Sequence, residues 1–185
     1  MRTTSSRFRR DQSGIAAIEV ALILPVLMLL YFGLFDLTGL ITINRKLTYG
    51  TSVVADLVTQ NELEVSAARI DDYFKAAEMA MSPYDMEDIR VEVHTYRMAS
   101  GSGAVEHVWG RISGTGPNCQ NPSTEGMETL MTDGNDVVVA VMCTNYRPFI
   151  ARFLGEQILG ASTFVLREQI SLRPRQSSRL NCSGC

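Results

Sequence analysis

Between Arg10 and Arg45 the chain contains no lysine or arginine, and its only acids there are Asp11, Glu19 and Asp36. A stretch so poor in charge excludes a helix bathed in water on every side. Other shortages narrow the function. Cysteine is absent before Cys119, histidine is confined to His94 and His107, and Trp109 is the single tryptophan. A catalytic zinc normally takes three protein ligands, so two separated histidines do not announce one. No G-x-S-x-G, H-E-x-x-H, P-loop or dinucleotide fingerprint occurs; no catalytic residue, cofactor or metal is therefore expected. The net charge of -3 and pI near 5.4 leave no general basic patch, and nucleic acid is not an expected partner. No internal repeat is present.

What fills the uncharged interval is apolar. Ile15 to Phe35 is about 21 residues, or roughly 31 Å of helix, against a hydrocarbon core of about 30 Å. The run spans a membrane once. Before it, Arg2, Arg7, Arg9 and Arg10 stand against Asp11 alone. By the positive-inside rule this basic leader stays in the cytoplasm and the remainder crosses. The expected organisation is a leader over 1–14, a long helix over 15–60 that spans the membrane at about 15–36, a periplasmic α+β domain over 61–172 and a polar tail over 173–185 ending in C-x-x-C.

Gly14 to Glu19 reads G-I-A-A-I-E, a glycine with an acid five positions later. With the basic leader before it and the apolar run after it, this resembles the cleavage and assembly signature of type IV prepilins. A carboxylate in hydrocarbon costs about 2.5 to 3.5 kcal/mol on insertion scales, and Glu19 lies about one turn inside the span. In the pilin reading, cleavage after Gly14 frees the Ile15 amine, and Glu19 pairs with such an amine on a neighbouring subunit. In the bland reading Glu19 snorkels to the headgroups. A conventional signal peptide would show a shorter run and a small-x-small site, whereas here L-F-D-L-T-G follows. An uncleaved anchor explains the run and leaves Gly14 and Glu19 unexplained. Pro25 removes a backbone hydrogen bond within the span and is expected to bend it. Gly33, Asp36 and Gly39 form a small or polar strip suited to helix packing, and Asp36 is also placed as a hydrated residue of the outer boundary.

Past the span, Leu40, Ile43, Leu47, Gly50, Val54 and Leu57 alternate in threes and fours, so the helix is expected to continue with one face on a soluble domain. Leu63 to Met81 carries Ala67, Ile70, Phe74, Ala77 and Met81 on one face and is expected to end at Ser82-Pro83. Ile89, Val91 and Val93 alternate with polar residues, and Gly101-Ser102-Gly103 turns into a second strand, Ala104 to Ile112. His94 and His107 then face each other across the hairpin, while Tyr96 and Trp109 read as sheet packing or a partner contact. Gly114 to Pro122 is a loop and Thr124 to Met131 a short helix. Asp136 to Tyr146, with V-V-V-A-V-M, is the central strand. Pro148 to Leu154 is one helical turn, and Ser162 to Leu172 the last strand. The fold class is α+β: a long N-terminal transmembrane helix, then a periplasmic domain with an amphipathic helix on a small, mostly antiparallel sheet of about four strands.

The four cysteines, Cys119, Cys143, Cys182 and Cys185, all follow the span and so face an oxidising compartment. Three connectivities are possible, and the preferred one is Cys119 with Cys143 and Cys182 with Cys185. The terminal C-S-G-C reads as a staple or a frayed tail.

R-R-D-Q-S-G-I-A-A-I-E-V-A-L-I-L-P-V-L-M-L-L-Y-F-G-L-F-D-L, Arg9 to Leu37, resembles the N-terminus of TadE-like proteins, minor pseudopilins of the tight-adherence (Flp) pilus, a type IV-class system. Ala21, Leu22, Leu24, Pro25, Leu27, Phe32 and Gly33 fall at the family's matching places. The resemblance implies processing by a prepilin peptidase, with Gly14 the last leader residue, Ile15 the mature N-terminus and Glu19 the acid used in assembly. The family's outer acid corresponds to Asp36, where glutamate is commoner. The implied partners are that peptidase, other pilins and pseudopilins, the inner-membrane assembly platform and membrane lipid, in the service of surface adhesion. Chain length argues against the smaller major pilin, and the lack of D-x-S-x-S against the longer TadG-like relatives. The alternatives are a permanently anchored periplasmic adaptor and, behind it, a membrane-anchored periplasmic enzyme.

Overall fold

A computed structural model describes residues 13–84, 88–99, 101, 103–124, 127, 130–131, 134–151 and 163–185. The basic leader with Arg2, Arg7, Arg9, Arg10 and Asp11 lies outside the described residues, as do Ser102 of the expected turn, much of the short helix expected over Thr124 to Met131, and the second half of the turn expected over Pro148 to Leu154. The chain divides into two compact units, Met1–Gly39 with Pro148–Ser162, and Leu40–Arg147 with Thr163–Cys185.

Helix α1, Ser13–Thr59, is one 47-residue element that continues through Pro25. Every residue from Gly14 to Tyr31 is exposed, apolar ones included. By length and composition the helix is able to cross a membrane once. From Ile43 onward the exposure becomes periodic: Ile43, Leu47, Gly50, Val54 and Val58 are buried, with Thr51 and Ala55 beside them. Gly50 weakens the helix by about 0.5 to 1 kcal/mol relative to alanine, and its place explains why it is tolerated. A Cβ there would lie 3.1 Å from Met142 Sδ and 3.4 Å from Met81 Sδ, so the missing side chain lets the backbone approach both. The last turn is closed by Asn61, whose amide donates to the Leu57 and Val58 carbonyls at 3.0 Å, satisfying groups that every helix end leaves open.

The second unit holds a four-stranded antiparallel sheet in the order β3-β2-β4-β5, with β2 Ile89–Met98, β3 Val105–Ser113, β4 Asp136–Tyr146 and β5 Phe164–Leu172. Strand β4 is buried along nine consecutive residues because both of its faces are covered. Val138, Ala140 and Met142 join Leu47, Val54 and Val58 of α1 and Ile70, Phe74 and Met81 of helix α2, Ala67–Met81, in the main core. Val137, Val139, Val141 and Cys143 meet Cys119, Met127 and Met131 on the other side. The Cys119–Cys143 disulfide, with Cα atoms 5.4 Å apart, pins the Gly114 to Pro122 loop to that face. Gly114 has to be glycine, since it sits at φ +87° and a Cβ would fall 2.0 Å from the Ile89 carbonyl oxygen. Arg111 clamps Asp71 of α2 through two 2.7 Å hydrogen bonds, which hold that carboxyl below its ordinary range.

Two expectations are corrected. The amphipathic helix does not start at Leu63: Glu64–Ser66 is strand β1, and α2 runs over Ala67–Met81 with the Ser66 hydroxyl capping the Arg69 N–H. The apolar face is as expected from Ile70 on, with Ala67 half-buried. The polar tail expected from Arg173 contains a strand, and of the two readings of its terminal C-S-G-C the staple is the one found. Residues Asn181–Ser183 form β6, parallel to β1 with Val65 opposite Cys182, and Cys182 is bonded to Cys185. Leu180 is fully buried, its carbonyl accepting the Trp109 indole N–H at 2.8 Å. Trp109 is therefore a core residue.

Asp136 anchors this arrangement. Its fully buried carboxylate accepts Arg97 Nε at 2.6 Å, Arg97 Nη2 at 2.9 Å and the Leu180 N–H at 2.8 Å. Removing one partner of a buried pair costs about 3 to 5 kcal/mol. Asp136→Ala is expected to lower stability by that order and to release the C-terminal segment, read as an earlier urea midpoint of Trp109 fluorescence; an unchanged midpoint contradicts this.

Candidate assembly and membrane site

Gly14, Ile15 and Glu19 all lie in the first exposed turns of α1. Helix geometry puts the Glu19 Cα about 6 Å along the axis from that of Ile15. Among the described residues Glu19 makes no ion pair. The structure does not bring it to the later residues of the strip. Pro25 is exposed, Gly33 and Gly39 are half-buried, and a Cβ on Gly33 would meet nothing within 4 Å.

Asp36 behaves differently from a hydrated boundary residue. Its Oδ1 accepts the backbone N–H of Phe149 at 2.6 Å and its Oδ2 that of Ile150 at 2.7 Å. The Phe149 ring rests against Phe32 and Phe35, with centroids 5.4 and 6.1 Å away. Asp36 thus serves as the cap of a turn 113 residues later in the chain. Sequence reasoning missed this. The faint signal was Pro148 opening a turn with Arg147, rather than Ser, Thr, Asp or Asn, directly before it.

The histidines do meet across the β2–β3 hairpin, as their spacing implied. His94 Nδ1 lies 3.1 Å from His107 Nε2, and His94 Nε2 lies 3.2 Å from Glu92 Oε2. Glu92, nearly buried, is also bonded by Arg90. Tyr96 packs edge-on to His107, their centroids 5.3 Å apart. Gly110 leaves room for the pair, because a Cβ there would stand 2.6 Å from His94 Nδ1. Among the described residues no three His, Cys, Asp or Glu side chains gather in a geometry that holds a metal.

Two consequences are measurable. Hydrogen bonds to a charged group contribute about 1.5 to 3 kcal/mol, so Asp36→Ala is expected to speed amide exchange of Phe149 and Ile150 by at least about tenfold; unchanged exchange would show that the cap contributes nothing. Partial withdrawal of the ring from water, then the neighbouring His94, push the His107 pKa below its ordinary value near 6.5. The neutral ring is the one the fold prefers. Its contribution is complete above the unfolded value and is lost as pH falls through the lower folded value. NMR titration should find His107 titrating below a free histidine, and a value at or above it contradicts the packing described.

Comparison with curated proteins and with solved structures gives no match. Residues 14–56, which include Gly14, Glu19 and Asp36, match the family model described as TadE-like protein, and it is over this segment that the chain's likeness to the TadE-like family is established.

Proposed function

We propose that this protein is a minor pseudopilin that acts in the biogenesis of a tight-adherence pilus, is cleaved after Gly14 by a prepilin peptidase, and works in the bacterial inner membrane with its α+β domain in the periplasm. The observation that carries the reading is the TadE-like match over 14–56, which supports involvement in that pilus system and takes in the Gly14-to-Glu19 signature. An apolar helix exposed from Gly14 to Tyr31 is compatible with burial either in lipid or among like helices. In lipid, a carboxylate is disfavoured by up to about 2.5 to 3.5 kcal/mol, the value at a helix centre, and Glu19 sits one turn inside the span. In a bundle of such helices it is matched by the Ile15 amine of a neighbour. That difference drives the helix from lipid into the assembly. The partners are other pilins and pseudopilins and the assembly platform, and the role is structural rather than enzymatic.

Replacing the acid separates this role from that of an anchored adaptor, for which the helix is only a tether. Glu19→Ala is expected to leave peptidase cleavage largely intact while cutting surface piliation by on the order of tenfold or more, as loss of a pairing worth a few kcal/mol requires. Equal piliation in variant and wild type would favour the tether.

A further inference from the structure

The turn Pro148 to Ala151 is apolar in every side chain, Pro-Phe-Ile-Ala, and every one of its backbone donors is accounted for. Pro148 has no N–H. The N–H groups of Phe149 and Ile150 donate to Asp36, and that of Ala151 donates to the Pro148 carbonyl at 3.2 Å. A turn on a protein surface in water has no need of such completeness, because water satisfies whatever the chain leaves open. In a water-poor layer each open group costs several kcal/mol. The position agrees with the chemistry. Phe149 touches Phe32 and Phe35, which lie in the last turn of the stretch read as the membrane span. Tyr31, Phe32, Phe35 and Phe149 line one apolar depression, and Tyr31 and Phe35 remain 67% and 62% exposed. Aromatic rings of this kind gather where headgroups meet acyl chains.

We infer that Pro148 to Ala151 is a second membrane-contacting element, seated in the outer headgroup and acyl boundary beside α1, with Asp36 supplying the hydrogen bonds that the layer cannot. The occupant of the depression is membrane lipid, since the depression is continuous with the exposed apolar surface of the span. Asp36 is then a residue that lets backbone other than helix enter the boundary, rather than a charge merely tolerated at its edge. The inference rests on reading α1 as a membrane span.

The test is fluorescence quenching in the full-length protein, reconstituted in phosphatidylcholine vesicles with bromines on shallow or on deep acyl carbons. Phe149→Trp and, separately, Leu24→Trp each add one fluorophore, read as the difference from the protein with Trp109 alone. The added Trp at 149 is expected to emit at short wavelength and to lose most of its intensity to shallow bromines, while that at 24 responds most to deep ones. Quenching at 24 with none at 149 overturns the inference and leaves the span standing, whether iodide in the water reaches position 149 or a protein partner shields it. Absence of quenching at both positions removes the span itself, and the inference with it.

Discussion

Apolar surface left exposed on a long helix is the constraint on which the rest of this protein depends. Along α1, residues 14–31 present isoleucine, leucine, valine and methionine outward, all of them exposed. Burying each such side chain is worth about 1.5 to 3 kcal/mol, so the segment is stable only in a medium or an assembly that removes it from water. Lipid and a bundle of like helices both do so. They differ in how they treat Glu19, which lipid opposes and a neighbouring amine welcomes. On the proposed reading, that difference at one carboxylate favours movement of the helix from lipid into an assembly.

The second half of the same helix meets the opposite condition. From Ile43 to Val58 one face is covered and the other is wet, and the covered face shares a core with α2 and the sheet. Gly50 sets how near the helix comes to Met81 and Met142. On the sheet's other side, loop residues held by the Cys119–Cys143 bond cover β4. Asp136 then draws Arg97 and Leu180 together, which brings the C-terminal segment and its β6 strand into the same unit.

How much of this was legible in the sequence followed from the range of the interaction. Strand β4 carries its own signal, a run of valines flanked by polar residues, and its bounds agree with those read from the chain. The seam of α1 and the face of α2 were equally local. The start of α2 was misplaced because Leu63 to Ser66 fits a helical period as well as an extended one, and only pairing with Asn181–Ser183 decides between them. The C-terminal segment looked like a tail because it contains a single large apolar residue, Leu180, whose importance comes from Trp109 and Asp136 far away in the chain. The Asp36 cap could not be read at all, since donor and acceptor are 113 residues apart. Glu19 is the reverse case, clear as a sequence signal and without an ion pair among the described residues.

The account stands or falls on what happens at Gly14. The most direct measurement is the N-terminal sequence of the protein recovered from membranes of cells with and without the prepilin peptidase. The account predicts a start at Ile15 with the peptidase and at Met1 without it. An intact Met1 in both would contradict it, leaving an anchored periplasmic protein in which Glu19 has no amine to meet.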